Sequence, residues 1–462
     1  MIRLFRVSIP SSVLALVITD AVLVFSCYLA AAYLTVESSV DVFLLEDGGW
    51  WRIAVVTGAV ILGLYFSDLY EHYRVRSRIA LLQQFSLVIG AAFLLQALLS
   101  YGRWDVILPK WLMVVGSLMV IVVVPLWRIV FLKLVWTAFG AQKLLFMGSS
   151  LAARNVVDAI VERPELGMLV LGYLGPGEAS GWTNGLHRLG GLEDLKAVAS
   201  NQRPDRIVIG LTERRGQLPV HDLLELRLAG VQIEEAAATY EMIFGRIPTA
   251  ELRPSQMIFS GDLGPRQGMV TLQSIYSWIL GLFGLLVALP VMLIVAVLVK
   301  LTSRGPVFYR QTRLGRNGMP FVLYKFRSMR QDAEASTGAV WATKDDPRIT
   351  PLGRTLRKLR LDELPQLLNV IQGHMSLVGP RPERPEFVAV LQEKIPFYRH
   401  RLYVKPGLTG WAQINHKYGD TIEDTILKLE YDLYYIKHLA PSLDFYIMFH
   451  TVKTVLLGRG AQ

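Results

Sequence analysis

The chain has 462 residues, a length that suits about three domains, with 52% hydrophobic and 19% charged residues and a mean hydropathy of +0.37. This is too apolar for a disordered chain and high for an ordinary soluble one, so it indicates a membrane protein with substantial soluble parts. The formal net charge of +10 suits nucleic acid, anionic lipid or phosphorylated substrates without choosing among them. A single cysteine, Cys27, excludes an intramolecular disulfide framework and a multi-cysteine zinc site.

Residues 1–140 read as a transmembrane four-helix bundle. The apolar stretches are roughly Val13–Leu34, Trp51–Phe66, Ile79–Leu99 and Trp111–Val135. Three of them reach the length of about 20 residues that a hydrocarbon core demands. The first lacks a small-residue cleavage site and is followed by more spans, so it reads as a membrane helix and not as a cleaved signal. Arg3 and Arg6 precede it, and Glu37, Asp41, Glu46 and Asp47 follow it. Arg74, Arg76 and Arg78 fill the next basic loop, and Arg128, Lys133 and Lys143 mark the far end of the fourth stretch. Basic and acidic ends alternate, which places the N-terminus and residue 140 on the cytoplasmic side.

Residues 141–252 alternate strand and helix patterns. Lys143–Met147, Met168–Tyr173, Arg206–Gly210 and Val231–Glu234 read as strands, with helices over Leu151–Val161, Leu192–Ala199 and Val220–Ala229. Such alternation predicts a parallel, Rossmann-like α/β domain. Its first turn, Gly148-Ser149-Ser150, has one glycine in place of G-x-G-x-x-G, so nucleotide binding rests on fold analogy alone. A structural or dimerisation module is the plainer reading. Residues 253–270, overlapping the Pro- and Gly-containing run from Glu251 to Gly268, read as a linker.

Residues 271–462 carry the candidate chemistry. An apolar stretch from Ile275 to Leu301 has Pro290 near its middle, where no helical hydrogen bond can be donated. Its C-terminal flank, Lys300 to Arg330, holds eight Lys and Arg and no acidic residue. A crossing would put that flank outside, against the positive-inside tendency. A re-entrant helix broken at Pro290 resolves the conflict, and an ordinary kinked span is the alternative.

Three clusters follow. Gly305–Gly315 and Tyr324–Met329 mix cations, including Lys325 and Arg327, with short aromatic strands. They suit a diphosphate or lipid headgroups, though a solvated basic face would look the same. Asp345-Asp346-Pro347-Arg348 precedes Leu352, Leu356 and Leu359 at helical spacing, with basic residues between them. That pattern fits an interfacial amphipathic helix or a core-facing one. In Leu361-Asp362-Glu363-Leu364-Pro365, Asp362 reads as an N-cap and Gly373 as the helix end. An ionised aspartate at a helix N-terminus can attack phosphorus, and Glu363 beside it can bind Mg²⁺. Arg381, in the rigid Gly379-Pro380-Arg381-Pro382 turn, suits bidentate phosphate contact.

The segments GPVFYRQTRLG, YKFRSM, DDPRIT-LGR, LDELPQLLNV, SLVGPRP, KPGLTGWAQI and YDLYYI occur in order over nearly all of the last 190 residues. Together they resemble the bacterial sugar transferase family, the polyprenyl-phosphate hexose-1-phosphate transferases with a monotopic catalytic core. The four spans and α/β middle domain look like its large subgroup, which includes undecaprenyl-phosphate glucose and galactose phosphotransferases. The resemblance implies transfer of sugar-1-phosphate from a UDP-hexose to undecaprenyl phosphate with release of UMP, initiating exopolysaccharide or O-antigen-like glycans. It implies Asp362 as nucleophile, Glu363 as Mg²⁺ ligand, Arg381 on phosphate, and a re-entrant helix broken at Pro290. Leu289 departs from the family's frequent serine before that proline. Lys325, Arg327, Asp346, Arg348 and Asp432 are further candidates for phosphates, metal or nucleotide. A bacterial inner-membrane location with cytoplasmic soluble domains follows, and the subgroup admits a homodimer.

Two rival readings carry distinct signatures. A membrane-anchored dehydratase or epimerase needs a glycine fingerprint and a Tyr-x-x-x-Lys pair, and the chain has neither. A non-catalytic scaffold of a polysaccharide assembly complex would tolerate Asp362→Asn. No Gly-Lys-Ser/Thr occurs, which argues against a P-loop kinase. The basic stretch suits lipid and diphosphate better than nucleic acid because of its interfacial placement.

Overall fold

A computed structural model describes residues 2–36, 39–70, 78–102, 107–138, 141–163, 166–175, 182, 186–211, 218–252, 264–330, 333, 346–416 and 421–456. The chain divides into two compact units. One comprises Ile9–Leu144 with Ile160–Val170, and the other Arg3–Ser8, Leu145–Ala159 and Leu171–Gln462.

The first unit is built on helices α1 (Ser11–Thr35), α3 (Gly49–Phe66), α4 (Arg78–Gly102) and α5 (Lys110–Ala138), which match the four apolar stretches. A short α2 (Val40–Leu45) sits in the acidic loop, where no helix was expected. α1, α3 and α5 are each long and apolar enough to cross a membrane. Small residues let these helices approach closely. A Cβ on Gly116 would lie 2.3 Å from the Tyr28 ring, whose hydroxyl meets Ser117 Oγ at 2.9 Å. Arg128 corrects the charge reading. It lies inside α5, fully buried, and pairs with Asp20 of α1 at 2.6 Å. It is an interhelical clamp and not a basic flank. Arg74 and Arg76 lie outside the described residues.

A short pair, β1 (Ile2–Leu4) and β2 (Val7–Ile9), opens the chain, and a five-stranded sheet, most of it in the second unit, is made of β3 (Gln142–Met147), β4 (Met168–Leu174), β5 (Arg188–Gly190), β6 (Arg206–Ile209) and β7 (Gln232–Glu235). Their spatial order is β5-β4-β3-β6-β7, and β4–β5 and β6–β7 run parallel. Counted within the domain this is 3-2-1-4-5, an order shared by doubly wound folds. Helices α6 (Leu151–Glu162), α7 (Leu195–Gln202), α8 (Val220–Leu228) and α9 (Ala236–Phe244) connect or follow the strands. β5 is too short to leave a period in the sequence, and it is a strand the pattern does not predict. Leu145, Met147, Ile207 and Ile209 form its apolar centre.

The turn after β3 is closed by the chain itself. Gly148 has φ +82°, and a Cβ there would meet the Gly210 carbonyl oxygen at 2.6 Å. Ser150 Oγ accepts from Ala153 N at 3.3 Å, and Glu251 Oε1 accepts from Ala152 N at 2.6 Å. Glu251 therefore belongs to this domain and not to the linker run, of which residues 253–263 lie outside the described residues.

Helix α10 (Gln267–Thr302) follows, 36 residues with Pro290 inside. The expected two-helix segment is thus one helix. Proline keeps a helical φ, and the apolar turns on both sides keep their own bonds. Val270, Gln273, Ser277, Gly281, Met292, Val295 and Val299 are its buried residues, whereas Phe283, Leu286, Val287, Leu293, Ile294 and Val297 are exposed. Gln273 and Ser277 thus face protein while a band of large apolar side chains faces outward, the opposite of an ordinary soluble helix.

The rest packs against α10. β8 (Phe308–Leu314) and β9 (Pro320–Phe326) form an antiparallel hairpin. α11 (Pro351–Lys358) has Thr350 as N-cap, accepting from Gly353 N at 3.0 Å. Its Leu356 is buried with Met292, Val295, Val299 and Phe326, so that face turns to the core. Leu359 alone of the three spaced leucines is exposed. α12 (Gln366–Ile371), β10 (Ser376–Val378), α13 (Pro385–Lys394), β11 (Gly407–Thr409), α14 (Trp411–Asn415), α15 (Ile422–Lys437) and α16 (Pro441–Leu456) complete the chain. Two motifs meet where β10 pairs in parallel with β11. A Cβ on Gly407 would lie 2.1 Å from Gly379 N, so only glycine permits this crossing of SLVGPRP and KPGLTG.

Glu430 of α15 ties the sheet domain to this part. It accepts from Tyr240 OH at 3.0 Å and Thr249 N at 3.1 Å, with Arg246 Nε at 3.5 Å.

Candidate active site

Arg360 ends α11 in the left-handed region, φ 58°, which costs a non-glycine residue about 1–2 kcal/mol. The reversal presents Leu361–Glu363 as one 3₁₀ turn ahead of α12. Asp362 is therefore not an N-cap. Pro365 occupies that position, and Asp362 makes no capping bond. Gly373, φ +80°, closes the helix as its sequence position suggests.

Asn369 aligns the neighbouring strand. Its Oδ1 accepts from Tyr324 N at 3.1 Å, and its Nδ2 donates to the Val322 carbonyl oxygen at 2.7 Å. This fixes β9 beside the turn and brings Lys325 to Glu363. Lys325 Nζ lies 2.7 Å from Glu363 Oε1, and Arg381 Nη2 lies 3.0 Å from the same oxygen. Arg360 Nη1 is 3.7 Å from Oε2. Both carboxylates are buried, and Asp362 carries no hydrogen bond among the described residues.

The pair divides its charge. Burial pushes both carboxyls up. At Glu363 the cations of Lys325, Arg381 and Arg360 outweigh burial and hold the group well below the usual carboxylate range. At Asp362 burial prevails over Lys325, Arg357 and Arg381, with Glu363 adding repulsion, and the pKa is raised. Burial lowers the Lys325 pKa, which Glu363 opposes.

The remaining sequence candidates have other partners. Arg327 is buried, and its Nη2 donates to Ser303 O at 2.8 Å and Ser303 Oγ at 2.6 Å, which caps α10. Asp346 and Arg348 are engaged with each other, Nε to Oδ1 at 2.8 Å, and Arg348 holds Asp346 down at about 2. Asp432 is buried against Arg401 at 2.9 Å. The sequence marks these four as candidates for phosphates, metal or nucleotide, and in the structure each also faces another group of this chain. It gives no site role to Asn369, which lies within LDELPQLLNV, or to Arg360, Arg357 and Arg401, which offer no spacing signal.

The donor set suits a magnesium ion shared with substrate phosphates, which needs only one or two carboxylates. It does not suit an all-protein cage, because no group of three His, Cys, Asp or Glu side chains gathers among the described residues.

The family model described as bacterial sugar transferase matches residues 269–458. An undecaprenyl-phosphate glucose-1-phosphate transferase of Escherichia coli is 33% identical over 329 residues, covering 70% of this chain and 69% of that protein. The chain belongs to the bacterial sugar transferase family. An exopolysaccharide production protein of Rhizobium leguminosarum is 43% identical over 185 residues, 39% of this chain and 92% of that one. An undecaprenyl-phosphate N-acetylgalactosaminephosphotransferase of Aeromonas hydrophila is 41% identical over 247 residues, 52% of this chain. The match spans 56% of the Aeromonas protein's own length. Family membership accounts for the order of the C-terminal motifs, and the matched region contains Asp362, Glu363, Lys325 and Arg381.

Proposed function

We propose that the protein transfers sugar-1-phosphate from a UDP-hexose to undecaprenyl phosphate by a ping-pong route, releasing UMP. The observation that carries this reading is the asymmetry of the carboxylate pair. Glu363 is tied to Lys325 and Arg381, while Asp362 beside it is buried and has no hydrogen bond among the described residues. Asp362 attacks the sugar-bearing phosphorus. An Asp362 Oδ–P bond forms, the bridging P–O bond breaks, and UMP leaves with that bridging oxygen. An oxygen of the lipid phosphate then attacks the same phosphorus and frees Asp362. Lys325 and Arg381 exchange part of their hold on Glu363 for the donor's phosphate oxygens. Glu363 is the residue that would hold Mg²⁺, which when bound would neutralise charge on the donor's phosphates.

The membrane reading follows the same logic. α10 meets this one domain on both sides of Pro290. Gly281 lies within 2.9 Å of Val370 Cγ1 if given a Cβ, and Val299 packs with Phe326. This supports a re-entrant segment, turned at Pro290 without losing its helical run, whose two ends share the cytoplasmic face of a bacterial inner membrane. Tyr434 OH donates to the Arg6 carbonyl oxygen at 2.7 Å, which supports the same side for the N-terminus. The sheet domain reads as Rossmann-like, and the proposed step initiates an exopolysaccharide or O-antigen-like glycan, the first of which agrees with the name of the Rhizobium relative.

The test is UMP release in nanodiscs with Mg²⁺ and undecaprenyl phosphate across UDP-glucose, UDP-galactose and their N-acetyl forms, with Asp362→Asn as control. Release from one donor, lost in the variant, supports the reading. Equal release by the variant contradicts it.

A further inference from the structure

The Pro380-Arg381-Pro382 turn has an unusual support problem. Two of its three residues lack an N–H, so the turn has to be held largely through its carbonyls. All three are held. Pro380 O accepts from Gly407 N at 2.9 Å, and Pro382 O accepts from Arg313 Nη1 at 3.1 Å. Arg381 O, on the residue whose side chain reaches Glu363, accepts from Arg401 Nη2 at 3.0 Å.

Arg401 lies in the 3₁₀ turn Tyr398–Tyr403 and is 7% exposed. Its Nε donates to Asp432 Oδ2 at 3.0 Å and its Nη1 to Tyr398 OH at 2.8 Å. Nη2 also lies 2.9 Å from Asp432 Oδ2, and Glu383 Oε1 is 3.9 Å from Nη1. Every guanidinium nitrogen thus faces a protein acceptor, which leaves this arginine no free face for a phosphate. The planar fork spans acceptors on three chain segments at once, a geometry that a lysine ammonium does not reproduce.

We infer that Arg401 is a positioning residue for Arg381, with Asp432 orienting its guanidinium from behind. This rests on the reading of Asp362, Glu363 and Arg381 as the active site. It also reassigns Asp432 from substrate contact to support.

The experiment uses the full chain in nanodiscs and two separate readouts. The first is amide hydrogen exchange at residues 379–384 in Arg401→Lys and in the milder Asp432→Asn, alongside melting temperature. Loss of one charge-assisted bond predicts exchange there about tenfold faster, with exchange in the sheet domain unchanged. Unaltered exchange at 379–384 in variants that fold overturns the proposal, whatever the protein's activity. The second is a double-mutant cycle on kcat/KM for UMP release. If Arg401 acts through Arg381, Arg381→Ala with Arg401→Lys is no slower than Arg381→Ala alone. Losses that multiply overturn it. If the wild type releases no UMP from any donor, the active-site reading fails, and the exchange measurement still decides the role of Arg401.

Discussion

The sheet domain and the catalytic domain hold opposite relations between fold and chemistry. The sheet has the 3-2-1-4-5 order of nucleotide-binding folds, yet the N-terminus of α6, where such folds bind phosphate, is taken by Glu251. Among its described residues the catalytic domain has a two-stranded hairpin, a short parallel pair, one isolated bridge and helices, yet it gathers two carboxylates and several cations around one turn. Strand order describes how a chain packs. Function depends on which groups face a site. In the sheet domain a carboxylate takes up a backbone donor, whereas Asp362 of the catalytic domain has no hydrogen bond among the described residues and faces the cations of Lys325, Arg357 and Arg381.

The largest effect that would separate the two domains is at Asp362. Asp362→Asn is expected to lower UMP release by roughly 10⁴-fold or more, as loss of a nucleophile does, while Glu363→Gln costs about 100-fold, the scale of one electrostatic contact. Steady-state kinetics on folded protein check both. Similar modest losses at the two positions would erase the division of roles between them.

The second effect is pH dependence. Burial raises the Asp362 pKa, so its reactive anion forms at higher pH than that of an ordinary aspartate. kcat/KM should rise with pH through that ionisation and then level off. The same shift has a sign for stability. The folded state binds the proton more tightly than the unfolded chain, whose carboxyl titrates near about 3.9. Stability from this group therefore falls as pH rises from there through the folded value. Asp362→Asn removes that cost and should melt no lower than wild type at neutral pH. A flat pH–rate profile, or a sharply lowered melting temperature, would count against the burial argument.

The third effect concerns the join. Glu430→Ala leaves Thr249 N–H and the Tyr240 hydroxyl without their acceptor, a loss of about 1–3 kcal/mol. Differential scanning fluorimetry should show a lower melting temperature, with kcat for the donor nearly unchanged. A large fall in kcat would make the sheet domain part of the catalytic apparatus. The smallest effect is at the sheet itself. NAD and ATP should show no calorimetric binding to the full-length protein. Tight binding that Glu251→Ala leaves unchanged would refute the self-filled turn.

Much of this was legible in the sequence, for identifiable reasons. The four apolar stretches are long, and α1, α3, α4 and α5 follow them within a few residues. Asp362, Glu363, Lys325 and Arg381 sit in motifs dense enough to single out, and the structure brings them together. Arg327, Asp346, Arg348 and Asp432 occupy equally dense motifs, yet they cap a helix or pair with each other or with Arg401. A local pattern does not tell a cation facing a ligand from one facing a carbonyl. Glu251 and Arg401 act on residues 99 and 20 positions away, at Ala152 and Arg381, which only the fold reveals. Asp20 and Arg128, 108 positions apart, clamp two membrane helices in the same way. The Asp362 N-cap reading failed because Arg360 adopts a left-handed conformation that its residue type does not announce.

The central claim is that Asp362 carries the sugar phosphate. The most direct measurement is mass spectrometry of the peptide spanning 361–372 after full-length protein meets its UDP-sugar without lipid acceptor. The account predicts a hexose-phosphate adduct on Asp362, formed with one UMP per site and discharged on adding undecaprenyl phosphate. UMP release that requires the acceptor from the start, with no adduct at any time, would contradict it.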